Sequence, residues 1–119
     1  MGKKKILIAD DEFYVRDIVK GALENDYIVL ESSDGEEAID IARKQKPSLI
    51  LMDILLPKLD GISACYILKS DASTRAIPIV MISGRTDKLD QDYSREIGAD
   101  GYLAKPFDIQ ELLDKVNKY

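Results

Sequence analysis

The sequence predicts an α/β fold: a doubly wound sheet of five parallel strands with helices on both faces. Three observations carry this expectation. Strand-like apolar segments alternate with helix-periodic ones along the whole chain, with no linker or low-complexity break. The first, third and fourth strand-like segments are nearly continuous apolar runs, as expected of strands covered on both faces. The polar residues Asp10, Asp11, Asp53, Ser83 and Lys105 all fall at the carboxyl ends of predicted strands. Open α/β sheets bind their ligands beyond those ends.

Taken in order, residues 5–9 form the first strand. Val15, Ile18, Val19, Ala22 and Leu23 then make the stripe of a helix. Residues 27–32 form the second strand. Asp34 precedes Glu37 by three, like a capping box, and opens a helix carrying Ala38, Ile39 and Ala42. Residues 48–52 form the third strand, and Ile62, Cys65 and Leu68 mark the helix after it. The fourth strand, 77–82, has Pro78 near its start, where a missing N–H is tolerated. Leu89, Tyr93 and Ile97 recur every four residues on the next helix, and Gly98 stops it. Residues 101–104 form the last strand. Asp108 and Glu111 again resemble a capping box, before Leu112, Leu113 and Val116. Five βα units with right-handed crossovers give a parallel sheet.

The 119 residues suit one domain, 1–119, with a proper core. Hydrophobic residues are 45% and charged residues 33%, ordinary globular composition. No apolar stretch approaches the ~20 residues of a membrane span. Lys3, Lys4 and Lys5 lead into only four apolar residues before Asp10, which is no signal peptide. The net charge of −5 and pI near 4.7 argue against nucleic-acid binding by this domain. The three lysines read as a solvated end. Cys65 is the only cysteine, so no internal disulfide forms; a reducing cytoplasm and a core position for this thiol are expected. Histidine is absent. That excludes a serine–histidine triad and histidine metal ligands, and any phosphohistidine involved must come from another protein.

The strand ends carry the chemistry. Ile-Leu-Ile-Ala runs into Asp10, Asp11 and Glu12, and Leu-Ile-Leu-Met runs into Asp53. A strand that ends so has carried a costly charge to the edge of a core. Side by side, these ends would gather three repelling carboxylates, each raising the others' pKa. A turn aspartate would sit among polar residues, and a single residue would suffice to cap a helix. Asp10, Asp11 and Asp53 give −3 and Lys105 gives +1. A phosphoryl group on Asp53 would turn its −1 into about −2. The set would then total about −3, and one divalent ion would bring it to about −1. Mg²⁺ suits such a site, because it favours a few carboxylates, waters and phosphate oxygens. Lys105 would act as a compact point charge.

At this point the sequence resembles the response-regulator receiver domains of two-component signalling, over essentially its whole length. The Asp10–Asp11 pair, the run Asp-Ile-Leu-Leu-Pro-Lys-Leu-Asp-Gly over 53–61, Ser83, and Lys105-Pro106-Phe107 fall in the family's order and spacing. The resemblance implies a flavodoxin-like strand order, 2-1-3-4-5. It implies that Asp53 is the phosphoacceptor. Asp11, Asp53 and the Leu55 carbonyl would ligate Mg²⁺, with Asp10 acting mainly through water. Ser83 would bond a phosphoryl oxygen, Lys105 would pair with the phosphoryl group, and Tyr102 would turn inward as Ser83 moves. The Lys105–Pro106 bond would be cis. A sensor histidine kinase or phosphotransfer protein would supply the phosphoryl group, and a downstream target or fused output domain would read the result. Ser83 replaces a commoner threonine and Gly84 a common alanine. Leu55 and Arg85 lie where the family tunes dephosphorylation.

Three other readings are weaker. Magnesium aspartyl-phosphate phosphatases carry Asp-x-Asp after the first strand, whereas this chain has Asp-Asp-Glu. A flavodoxin or dinucleotide domain would need glycines or hydroxyls in the first turn. A partner-binding domain without phosphoryl chemistry would not need a complete acidic site.

Overall fold

The computed structural model describes residues 2–84 and 88–119, and for residues 88–90 the backbone alone. Arg85 and the side chain of Leu89 lie outside the described residues. The elements follow as β1 (Lys4–Ala9), α1 (Phe13–Leu23), β2 (Tyr27–Ser32), α2 (Gly35–Gln45), β3 (Leu49–Asp53), α3 (Gly61–Ser70), β4 (Ile79–Ser83), α4 (Lys88–Glu96), β5 (Gly101–Ala104) and α5 (Ile109–Val116). All strand pairs are parallel, in the order β2-β1-β3-β4-β5. The expected doubly wound, flavodoxin-like architecture is what the chain adopts. Strands β3 and β4 each run one residue further than their apolar runs, so Asp53 and Ser83 are themselves the last strand residues. Pro78 lies just before β4, and its carbonyl accepts the Ile50 N–H.

Strand alternation divides the core. Leu7, Ala9, Ile50, Met52, Ile79 and Met81 face α2 and α3, where they meet Ala38, Ala42, Ala64, Cys65 and Leu68. Ile6, Ile8, Leu51, Val80 and Ile82 face the other way, toward Val19 and Leu23 of α1 and Leu112 and Val116 of α5. Cys65 is fully buried, and burial pushes its thiol up to about 11. It is a small apolar core residue with little thiolate to react.

The caps follow local chemistry. Asp108 accepts the Glu111 N–H while Glu111 accepts the Asp108 N–H, a complete capping box. At α2 only half the box forms. Asp34 caps Glu37, but the Glu37 carboxylate takes the N–H of Ser33 instead. Asp60 caps α3 through Ser63. Gly98 closes α4 with a positive φ of 105°, as its position suggests.

One local expectation is corrected. Tyr93 does not face the core: it is 54% exposed, and among the described side chains of α4 Ser94 is the buried one. Of the described residues at that spacing, Tyr93 lies on the surface and Ile97 packs partly inward. At α1 the N-cap is Glu12, and of the two aspartates before it Asp10 helps the helix start. Glu12 holds that position without a side-chain cap bond, and Asp10 Oδ1 accepts the Glu12 N–H one step earlier.

Candidate active site

The ends of β1, β3, β4 and β5 form one edge of the sheet. Asp10 follows β1 and is fully buried; Asp53 ends β3 and is 4% exposed; Asp11 points to solvent. Arg16, one turn into α1, donates to the Asp10 carbonyl at 2.7 Å and pairs with Glu31 at 3.4 Å, which fixes the loop carrying the aspartates. The start of α3 is fixed as tightly. A Cβ on Gly61 would overlap the Asp53 carbonyl, and the Gly61 N–H donates to Ile54. Glycine at 61 thus lets α3 press directly on the backbone that presents Asp53. Asp53 Oδ1 in turn accepts the Leu55 N–H at 3.2 Å.

Lys105 follows β5, before a cis bond to Pro106. Its N–H donates to the Ser83 carbonyl at 2.7 Å, which ties the ends of β4 and β5 together. Its ammonium lies 2.7 Å from Asp10 Oδ2, 3.3 Å from Asp53 Oδ2 and 3.3 Å from Glu12 Oε1. The contacts to Asp53 and Glu12 are directed hydrogen bonds. The Asp10 contact is the shortest of the three, so the ammonium compensates the charge of this fully buried carboxylate.

These surroundings set the acidities. Burial, then the charge of Asp10, pushes the Asp53 carboxyl up to about 6, and Lys105 only partly counters them. Burial alone would lower the Lys105 pKa, but Asp10 and Asp53 outweigh it and hold the ammonium firmly charged. Glu12 is held below the usual carboxylate range, first by the neighbouring Tyr14 hydroxyl and then by Lys105.

The structure brings Asp10, Asp53 and Lys105 together as expected from the strand ends. Carboxylate oxygens of Asp10, Asp11 and Glu12 also lie within 4.8 Å of one another. The donor set is wholly oxygen, and its negative charge exceeds what Lys105 alone compensates. Both features fit a hard divalent cation such as Mg²⁺. Leu55, 65% exposed, and exposed Gly84 rim the edge. Ser83 is buried at the end of β4. Tyr102 is half-buried opposite Met81 and lines a groove of about 520 Å³ with Gln91, Ser94, Arg95 and Lys115. The sequence reading gave no role to Glu12 or Arg16. Glu12 was visible as a third acid in the run, whereas nothing local marks Arg16.

Comparison with known proteins agrees with this arrangement. The family model described as "Response regulator receiver domain" matches residues 6–117. The chain is 40% identical over 114 residues to the alkaline phosphatase synthesis transcriptional regulatory protein PhoP of Bacillus subtilis, covering 95% of this chain and 47% of that one. It is 39% identical over 113 residues to the probable transcriptional regulator ycf27 of Porphyridium aerugineum, covering 94% and 46%. The chain thus spans about half the length of these curated relatives. Among solved structures, Vibrio cholerae chemotaxis protein CheY4 superposes with a TM-score of 0.92 at 27% identity, covering 98% of both chains. The receiver domain of sensor histidine kinase PA1611 from Pseudomonas aeruginosa, described with a magnesium ion in its active-site cleft, gives 0.90 at 29% identity, covering 99% and 98%. With the family model matching residues 6–117, and relatives about 40% identical over nearly the whole chain, this chain belongs to the response regulator receiver domains of two-component systems.

Proposed function

We propose that the chain is a phosphorylation-activated switch in which Asp53 takes a phosphoryl group from a phosphohistidine of a sensor kinase or phosphotransfer protein. One observation carries the reading: a buried carboxylate at the mouth of β3, hydrogen-bonded to a charged lysine and crowded by a second buried carboxylate. An Asp53 oxygen bonds to phosphorus as the phosphorus–nitrogen bond breaks; the donor histidine, protonated on its other ring nitrogen, takes the bond's electron pair and leaves as neutral imidazole. Such transfer rests on positioning and charge neutralisation. Lys105 supplies one positive charge and Ser83 a hydroxyl at the neighbouring strand end. Asp11, Asp53 and the Leu55 carbonyl would hold Mg²⁺, with Asp10 through water; bound there, it would neutralise charge on the phosphoryl oxygens. Water later attacks phosphorus, the bond to Asp53 breaks, and phosphate leaves a free carboxylate. The domain is thus a switch that catalyses its own phosphorylation from a donor and its own dephosphorylation.

Exposed Tyr14 and Ile18 on α1 border the Lys105 side of the site with Phe107 and offer an apolar surface to the phosphodonor protein. Ser83 and Lys105 drawing toward the new charge would let Tyr102 turn inward and remodel the α4–β5–α5 face. A downstream target or a fused output domain would read that face. Relatives twice this length named as transcriptional regulators support the fused form. Among the described residues no helix is long and apolar enough to cross a membrane, and a cytoplasmic setting accords with the buried free thiol.

Acetyl phosphate with Mg²⁺ should add one phosphoryl group to the wild type and none to Asp53→Asn. Intact mass reads this, and labelling that persists in Asp53→Asn would place the acceptor elsewhere. Mg²⁺ titration should show Asp11→Ala weakened more than Asp10→Ala, whose oxygens already serve the Glu12 N–H and Lys105.

A further inference from the structure

Lys105 has more carboxylates around it than the proposed chemistry needs. A lysine ammonium has three N–H donors and no acceptor. Here two of them are directed at Asp53 and Glu12, and the ammonium presses against Asp10. A phosphoryl group on Asp53 would bring further acceptor oxygens and about one more negative charge to the same ammonium. One existing contact must then be given up.

The three partners differ in what release would entail. The Asp10 side chain is fully buried and that of Asp53 is 6% exposed, whereas that of Glu12 is 42% exposed. Swinging Lys105 off Asp10 would leave a buried, uncompensated charge, which is costly. Glu12 can turn into water and stay hydrated. It sits at the N-cap of α1 with no capping bond of its own to lose. The Tyr14 hydroxyl, its other neighbour, lies on the solvent side of the same helix start.

We infer that Glu12 is a positioning residue that occupies one Lys105 donor in the resting site and yields it to the incoming phosphoryl group. This rests on the reading of Asp53 as phosphoacceptor. Glu12 thereby parks the lysine over the acidic pair and slows phosphorylation in two ways. It withholds a donor, and its charge repels an anionic phosphodonor.

The two ways separate by substitution. Glu12→Gln removes the charge and keeps an oxygen that can accept from Lys105. Glu12→Ala removes both. With acetyl phosphate and Mg²⁺, the second-order labelling rate of Asp53 should rise about twofold in Glu12→Gln, the scale of one partly exposed charge, and about fivefold in Glu12→Ala. The Lys105 ammonium signal in ¹⁵N NMR of the metal-free protein should move in Glu12→Ala. Mg²⁺ affinity should stay within about twofold of wild type. Unchanged or slower labelling, or equal increases in both variants, would overturn the donor role. So would an unmoved Lys105 signal. A tenfold loss of Mg²⁺ affinity would place Glu12 on the metal instead. If wild type itself is not labelled, the phosphoacceptor reading fails, while the ammonium signal still decides whether Glu12 holds Lys105.

Discussion

Two lysines of nearly equal exposure, 14% and 16%, sit at opposite edges of the same sheet. Lys69, at the amino edge, donates to the Arg75 carbonyl at 3.2 Å, the Ile77 carbonyl at 2.7 Å and Asp100 Oδ2 at 2.8 Å. Its three donors meet three acceptors and only one of them is charged. Asp100 Oδ2 also accepts the Ile79 N–H, and the Tyr119 hydroxyl donates to the Asp100 carbonyl. That cluster is neutral and closed. Lys105, at the carboxyl edge, faces three carboxylates, at 2.7 Å, 3.3 Å and 3.3 Å. That cluster carries surplus negative charge. The same residue type therefore seals one edge and leaves the other ready to take a cation. The charge of the acceptors, more than burial or their number, separates the two lysines.

The comparison breaks most visibly at Lys105. Lys105→Met leaves buried Asp10 uncompensated and should lower stability by about 3–5 kcal/mol in chelator. Added Mg²⁺ should restore most of that loss, because it binds only the folded acidic edge. Urea denaturation with and without Mg²⁺ reads both. Lys69→Met should lower stability by about 2–3 kcal/mol, from two orphaned carbonyls and a lost charged bond. Here Mg²⁺ should restore nothing beyond its effect on wild type. Equal Mg²⁺ rescue of the two variants would erase the distinction between the edges.

Asp53→Asn sharpens it with the opposite sign. The Asp53 pKa lies at about 6, above its ordinary value of 3.8. The folded state thus holds a proton that the unfolded state has lost between those values. Stability should fall as pH rises through that window, and the full penalty should stand above about pH 6. Metal-free Asp53→Asn should therefore exceed wild type by about 1–3 kcal/mol at pH 7, and the gap should close toward pH 4. A gap that is constant with pH would mean that Asp53 is not the strained carboxylate.

The smallest effect is expected at Gly84. Among the described residues an added Cβ there meets nothing within 4 Å, and its φ is not positive, so alanine suits the backbone. Stability should rise by about 0.4–1 kcal/mol through loss of unfolded-state freedom. A stiffer segment beside Ser83 should also slow decay of phosphorylated Asp53 by about twofold. Unchanged or faster decay would shift control of water access to exposed Leu55.

How far the sequence reaches is clear from single residues. Asp53 and Ser83 were legible because an apolar run must stop somewhere, and a polar residue at that stop is already placed at the sheet edge. Cys65 was legible from its helical neighbours, and Asp108 from a three-residue spacing that one helical turn closes on itself. These are local or periodic signals. Tyr93 misled because period four is shared by a core stripe and a surface strip, and only packing of α4 against the sheet chooses between them.

The sequence by itself determined the alternation of strands and helices, the wound sheet, and which residue types reach its carboxyl edge, since periodicity and charge placement act over a few residues. Tertiary structure alone decided that Glu12 shares Lys105 with Asp53 across 93 positions, that Arg16 holds the Asp10 carbonyl, and that Lys69 closes on Asp100. Those pairings depend on distances between strand ends and helix starts. Such distances are set only when the whole sheet packs and burial forces each polar group to find a partner.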